Sequence, residues 1–381
     1  MDYRRLGRTN FLVSEIGFGC EWLEQMELEE GRALFQACEE SGINILDCWS
    51  PNPKVRSIIG ESIKGRRERW FIQGHIGSTW QNGQYVRTRE FPIVEEAFED
   101  QLKRFHSDYV DLGMIHYVDS VKEWDEIVSG PFIEYARRLK ESGKIRAVGL
   151  SSHNPQVAKK AVNSGEIDAL MFSINPAFDI TPPTEDVYEL FKTETYVDSL
   201  AGIHPERAEL YRLCEQKNVG ITVMKGFGGG RLFKAETSPL CVALTAVQAL
   251  HYALTRPAVA SVLVGFSEVR HVTEAVGYET ATDEQKDYSE LLANAPKHAY
   301  RGQCAYCNHC KPCPVNIDIA AVNKFYDLAV MQPTVPASVR EHYRALERNA
   351  SDCLGCRSCE QRCPFGVKIA ERMKLAAELF K

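Results

Sequence analysis

The sequence has no apolar run long enough to cross a bilayer. Its greasiest stretch, Cys241 to Leu254, is short and is interrupted by Gln248 and His251. The opening MDYRRLGRTN carries charge with no apolar segment behind it, so neither a membrane span nor a secretory leader is expected. An excess of positive charge is also missing. The 45 Lys and Arg stand against 52 Asp and Glu, a net −7, which argues against nucleic acid or an anionic membrane surface as the main partner. Low-complexity tracts are absent as well. With 44% hydrophobic and 25% charged residues, the chain can bury a sizeable core. Its 381 residues suit a barrel-sized domain plus a small second one.

Cysteine is plentiful: 13 are present, eight of them crowded into two runs after residue 303. Without export, a reducing cytoplasm is expected, where clustered thiols bind metal or do redox chemistry more often than they form disulfides. Cys20, Cys38, Cys48, Cys214 and Cys241 are scattered singly and read as small buried hydrophobes.

The spacing divides the chain near residue 296. From about 13 to 280, β-rich runs alternate with stretches of helical period, the pattern of a parallel sheet wrapped by helices. Eight such runs are found: Val13-Gly19, Ile43-Asp47, Trp70-Ile76, Tyr109-His116, Ile145-Leu150, Ala169-Ile174, Val219-Met224 and Ala258-Val264. Eight covered strands predict a closed (β/α)8 TIM barrel over residues 1–295. Tyr3 to Val13, turning at Gly7-Arg8-Thr9-Asn10, reads as a hairpin ahead of it. Asn154 before Pro155 reads as a cap opening a helix. The longest connection, Phe178 to His204, is either a loop over the barrel mouth or a local excursion.

Chemistry in such barrels sits where the strands end, and here the ends are polar: Asp47, His75, His116, Ser151-Ser152-His153, Asn175, Lys225 and Gly265-Phe266-Ser267. Agreement across seven ends points to a site. Lys225 leads into Gly226, Phe227, Gly228, Gly229, Gly230 and Arg231. Glycines let backbone N–H groups approach an anion closely, so this run and the Gly265 turn are expected to hold a phosphorylated ligand or cofactor.

Several segments carry a resemblance. Gly17-Phe18-Gly19, Ile45-Leu46-Asp47, Asp108-Tyr109-Val110-Asp111 leading to His116, Lys144 through Ser151, and Met224-Lys225 before the glycines resemble the aldo-keto reductases over about residues 1–280. The likeness is greatest to the branch with a C-terminal ferredoxin-type extension. It implies a (β/α)8 barrel that transfers hydride from NAD(P)H to a carbonyl through an Asp-Tyr-Lys-His tetrad. It also implies that Ser151 and Asn175 hold the nicotinamide amide and that the loops after strands seven and eight hold the pyrophosphate. Asp47 and His116 stand at the tetrad's Asp and His positions, Asn52 where its tyrosine would be and His75 where its lysine would be. Ala275 takes the place of an Asn that commonly contacts adenine, and Arg270 or His271 is the available cation for a 2'-phosphate.

Asn52 cannot give a proton to an alkoxide at neutral pH. An imidazole can, so His75 or His116 is expected to replace the tyrosine. The alternative is that Asp47, His75 and His116 ligate zinc or ferrous iron. Tyr85 and Tyr117 could serve as substitute acids but read as loop or rim residues.

The second domain, residues 296–381, carries Cys304-x2-Cys307-x2-Cys310-x2-Cys313-Pro314 and, about forty residues on, Cys353-x2-Cys356-x2-Cys359-x3-Cys363-Pro364. The second run matches the bacterial ferredoxin pattern, in which the cysteine before proline closes the other cubane. Cys304, Cys307, Cys310 and Cys363 are therefore assigned to one 4Fe-4S cluster, and Cys353, Cys356, Cys359 and Cys313 to a second. Two zinc sites are the alternative. From Ala295 onward there are 13 Lys and Arg and 8 Asp and Glu, a balance of +5 that leaves −12 of the total −7 for the rest. That basicity could favour docking of a ferredoxin or other acidic electron carrier. Between the cysteine runs, Ile317 to Leu346 should be mainly helical, broken near Gln332-Pro333-Thr334-Val335-Pro336.

Two function classes follow. In the first, a cytoplasmic oxidoreductase acts on a small organic molecule at the barrel mouth, with NAD(P) or a flavin and with clusters relaying electrons. In the second, a lyase, isomerase or binding barrel carries structural clusters.

Overall fold

The computed structural model describes residues 1–330 and 334–381. Strands β1 (Tyr3–Arg5) and β2 (Leu12–Ser14) form the expected antiparallel hairpin. Then come β3 (Ile16–Gly19), β4 (Ile45–Cys48), β5 (Phe71–Ile76), β6 (Ser78–Gln81), β7 (Gln84–Arg87), β8 (Val110–Ile115), β9 (Ile145–Ser152), β10 (Ala169–Ser173), β11 (Gly220–Met224) and β12 (Val259–Gly265). Eight of them close into a parallel barrel in the order β10-β11-β12-β3-β4-β5-β8-β9. The Val13-Gly19 run is broken at Glu15, so its start belongs to the hairpin and its end to the barrel.

The alternation of strand side chains explains the packing. Inward-facing Ile45, Leu112, Met114, Ala147, Ala169, Met171 and Leu263 meet Leu6, Phe11 and Val13 of the hairpin, which plugs the barrel floor. Gly7, at φ +51, lies against Gly220, where an added Cβ would strike backbone. Outward-facing residues meet the helices in a second, larger core that includes Trp70 and Trp124. Each large apolar side chain withdrawn from water contributes about 2 kcal/mol.

Start signals act as expected: Asn154 accepts from Gln156 N at the head of the helix Pro155–Ser164. The connection from 178 to 204 folds into short 3-10 turns at Val187–Phe191 and Thr193–Thr195, and Phe191 reaches the mouth cleft. The hairpin β6–β7, inserted between β5 and the helix Phe91–Arg104, is absent from the sequence reading.

Beyond the barrel the described residues form four α-helices, Ile319–Val330, Ala337–Arg344, Ser358–Gln361 and Ile369–Leu379, which cover less than half of that stretch rather than most of it. Thr334, Val335 and Pro336 separate the first two; Gln332 and Pro333, expected at the same break, lie outside the described residues. Arg372 pairs with Asp327 at 2.6 Å and ties the first of these helices to the last. Among the described residues no helix is long and apolar enough to cross a membrane.

Candidate active site

Asp47, His75 and His116 end β4, β5 and β8, neighbours in the barrel, and all three are buried. They form a linear chain. His75 Nε2 lies 2.9 Å from Asp47 Oδ1, His75 Nδ1 lies 2.8 Å from His116 Nδ1, and His116 Nε2 lies 2.8 Å from the Tyr85 hydroxyl. Gln73, also on β5, donates to Asp47 Oδ1 at 3.0 Å. Trp49 stacks on the His116 ring, 6.2 Å between centroids and 4° from parallel, and meets Tyr85 edge-on.

Tyr85 is the residue the sequence reading ranked as rim. It sits on β7, and the hairpin is held over the mouth by the arginines that follow. Arg89 donates to His116 O at 2.7 Å, Arg87 donates to Tyr117 O, and both pair with Glu123. A signal was present in the sequence: Asn82-Gly83 flanked by Thr79, Trp80, Tyr85 and Val86 is a strong short-range hairpin pattern. Asn82 and Gly83 take the positive φ it requires, 52° and 79°. Tyr117 is a rim residue, lying under Arg87 at 4.9 Å.

The direction of the protons follows from the donors. Gln73 Nε2 can only donate, which makes Asp47 Oδ1 an acceptor, so the shared proton is on His75 Nε2. His75 Nδ1 then accepts from His116 Nδ1, and His116 Nε2 accepts from the Tyr85 hydroxyl. Burial, with help from His75, Arg89 and Arg87, pushes the His116 pKa well below the usual imidazole value. Burial pushes Tyr85 up. Tyr85 is thus a loaded donor and His116 a neutral imidazole. Both nitrogens of both rings are engaged within the chain, so the metal-ligand alternative for this triad has no lone pairs converging on one point. Among the described residues no group of His, Cys, Asp and Glu is arranged to hold a single ion.

Asn52 takes no part in the chain. Its Oδ1 caps the helix Pro53–Ile63 by accepting from Lys54 N, and its Nδ2 donates to Glu24 at 3.0 Å. Both polar groups are engaged away from Asp47's partners, so Asn52, expected at the catalytic tyrosine's position, is here a helix cap.

A cleft of about 790 Å³ opens beside Asp47 and Trp49. Lys225, Gly226, Gly229, Gly230, Gly265 and Ser267 line it, with His271 and Ala275. Gly229 and Gly230 have φ of 68° and 84°, and Lys225 has φ +57, a conformation that costs a non-glycine residue about 1–2 kcal/mol. Burial pushes the Lys225 pKa down, opposed by Glu21, Asp119 and Asp47. Five expected ligand-binding residues stand outside the lining. Ser151 Oγ accepts from Tyr117 N at 2.8 Å. Asn175 caps the short helix Pro176–Asp179 and donates to Lys225 O. Arg231 donates to Phe191 O, Arg270 is exposed and pairs with Glu268, and Gly228 is buried behind its neighbours.

No disulfide joins any of the 13 cysteines. Cys304, Cys307, Cys310 and Cys363 surround one hollow, together with Phe365 and Ile369. Cys313, Cys353, Cys356 and Cys359 surround another. Burial pushes the Cys304 and Cys310 thiols up to about 12, so thiolates there need a compensating cation.

With this geometry in view, comparison with known proteins is direct. The aldo/keto reductase family profile matches residues 15–243. "Uncharacterized oxidoreductase YqkF" of Bacillus subtilis is 27% identical over 288 residues, covering 72% of this chain and 90% of that protein. "Aldo-keto reductase YhdN" of the same organism is 27% identical over 208 residues, 51% of this chain and 56% of that protein. Among solved structures, the holo form of aldo-keto reductase AKR11C1 from Bacillus halodurans superposes with a TM-score of 0.60 at 25% identity, over 75% of this chain and 94% of that one. The chain belongs to the aldo/keto reductase family and is an oxidoreductase, which sets aside the lyase, isomerase and binding-barrel reading.

Proposed function

We propose that this oxidoreductase interconverts a small carbonyl compound and its alcohol at the barrel mouth, with Tyr85 as the proton donor and Asp47, His75 and His116 as the wire behind it. The continuous run of contacts at 2.8–2.9 Å carries the proposal. When an alcohol gives its proton to Tyr85, the tyrosine proton passes to His116 Nε2. His116 Nδ1 then passes one to His75 Nδ1, and His75 Nε2 passes one to Asp47. One proton enters, one ends on the carboxylate, and both imidazoles remain neutral, as the depressed His116 requires. Carbonyl reduction runs the same shift backwards from protonated Asp47. His75 and His116 thus move the proton, while Tyr85 delivers it.

The cleft beside Asp47 fits a phosphorylated redox cofactor. Lys225 supplies a cation, Gly229 and Gly230 expose backbone, and Ala275 and His271 line the same cleft. A bound NAD(P) or flavin would supply the hydride.

The two cysteine hollows fit 4Fe-4S clusters. Four thiolates around a hollow suit a cubane, whose four irons take one each, better than a zinc ion, which draws all four sulfurs to about 2.3 Å from one point. Such clusters supply electrons singly. On this reading residues 1–295 are the barrel and 296–381 the two-cluster domain. The first hollow and the cleft are joined by a short path. Phe365 packs on Tyr300 with rings 6.3 Å apart, Tyr300 OH donates to Pro176 O at 2.7 Å, and the adjacent Asn175 donates to Lys225 O. Cys356 and Leu354 are exposed at the second hollow beside Arg357, chemistry suited to an acidic carrier such as a ferredoxin.

The test is steady-state kinetics with a panel of aldehydes and ketones, in anaerobically prepared protein. Tyr85→Phe should lower kcat by about 10²–10⁴-fold with an unchanged circular dichroism spectrum, and His116→Ala should do the same. Full activity in Tyr85→Phe would remove the tyrosine from the reaction.

A further inference from the structure

Arg256 lies between the helix Ala246–Leu254 and β12 and is almost completely buried. Its Nε donates to Tyr252 O at 3.1 Å. Its Nη2 reaches Thr255 Oγ1 at 3.0 Å, Tyr288 OH at 3.0 Å and Ala305 O at 2.7 Å, while Nη1 has no partner. Every one of these acceptors is neutral. Among the described residues no carboxylate pairs with Arg256. Asp179, the buried acid of this seam, pairs with Arg207 at 3.7 Å and accepts from Tyr211 and Tyr252. Two buried guanidinium groups therefore face one carboxyl group, leaving an excess positive charge in a place where isolated charge is strongly disfavoured.

The missing anion has an obvious position. Ala305 follows Cys304 and lines the first hollow with Cys307, Cys310 and Cys363. Tyr288 OH also donates to Ala305 O, at 3.3 Å, and Tyr288 lines a cleft with Cys307 and Cys363. The next residue, Ser289, has a buried hydroxyl with no hydrogen-bond partner, and it lines a cleft together with Cys307 and Cys363. A cubane held by four thiolates is net negative, and its potential depends on nearby charge and on hydrogen bonds to its sulfurs. The cations beside the second hollow, Arg357 and Arg362, come from the tail itself.

We propose that Arg256 is the counter-charge of the first cysteine hollow, and that with Ser289 it lets the barrel set the reduction potential of the cluster held there. This rests on the cluster reading above. Reduction adds negative charge, so a fixed guanidinium beside the hollow favours the reduced form and raises the potential.

The experiment is an EPR-monitored redox titration of anaerobically prepared protein, with iron and sulfide counted. Arg256→Gln should lower one midpoint by the equivalent of about a tenfold loss of reduced cluster at fixed potential, about 59 mV for one electron, and leave the other in place. Arg256→Lys should restore most of the shift, and Ser289→Ala should lower the same midpoint by less. If Arg256→Gln does not assemble, the other two variants decide. Unmoved midpoints in variants that hold both clusters overturn the inference. Wild-type protein without iron overturns the cluster reading beneath it instead.

Discussion

The barrel mouth and the cysteine-rich tail place their reactive groups in opposite ways. At the mouth, Asp47, His75, Tyr85 and His116 come from four elements and meet only in space, with every ring nitrogen already engaged. In the tail, three members of each cysteine set lie within a few residues of one another, and the hollow they surround has no protein group at its centre. A site built from strand ends has its polar groups already in contact as folded, and on the proposed mechanism it passes protons along those contacts. A site built from a loop of cysteines has, on the proposed reading, its role only together with an inorganic cluster.

That contrast can be broken from the tail side first, where the largest effect is expected. Cys310→Ser should remove roughly half the iron, since each cubane needs its full set of thiolates, while the barrel keeps its fold. Iron analysis showing no loss would mean that the hollow is not a cluster site. Next comes the seam between the two regions. Asp179→Ala strands buried Arg207 and should cost about 3–5 kcal/mol in chemical denaturation; a loss under 1 kcal/mol would show that the seam is wetter than its burial indicates.

A smaller effect comes from His251, which contacts Tyr278 OH at 3.1 Å. Burial, with Lys286, Arg256 and Arg4 nearby, pushes it down to about 4. The fold keeps this ring neutral, whereas in the unfolded chain it takes a proton near pH 6.5. Stability should therefore fall as pH drops below about 6.5 and go on falling toward 4. Denaturation midpoints at several pH values should show a shallower fall in His251→Gln; an identical slope would exclude this residue as a source. Smallest is Asn154→Ala, which removes a helix cap and should cost about 1 kcal/mol in thermal melts, without altering the iron content.

The same contrast explains what could be read from the sequence. The eight barrel strands were legible because β-rich runs recur between helical stretches, and the two cysteine sets because ligand spacing is local. The proton chain was only half legible. Strand ends gave Asp47, His75 and His116, but nothing in a linear sequence says that two histidines 41 positions apart touch through their Nδ1 atoms rather than turn toward a metal. Tyr85 was undervalued because its hairpin went unrecognised, although Asn82-Gly83 marked it. Ser151, Asn175 and Arg231 look like ligand-binding groups by position, and their side chains also hydrogen-bond backbone groups, which no linear sequence shows. Asn52 likewise caps a helix. Position along a barrel strand is inherited from the scaffold; the direction a side chain takes depends on which neighbour needs a hydrogen bond.

The placement of Tyr85 on β6–β7 carries a lesson for engineering. The ribbon leaves the scaffold after β5 and returns to it before the helix Phe91–Arg104, so the proposed acid, Tyr85, rides on a detachable cassette rather than on a stave. Grafted with its two arginines onto a sister barrel given histidines at the ends of β5 and β8, it could transplant the acid as one piece, leaving the floor and walls of the recipient untouched.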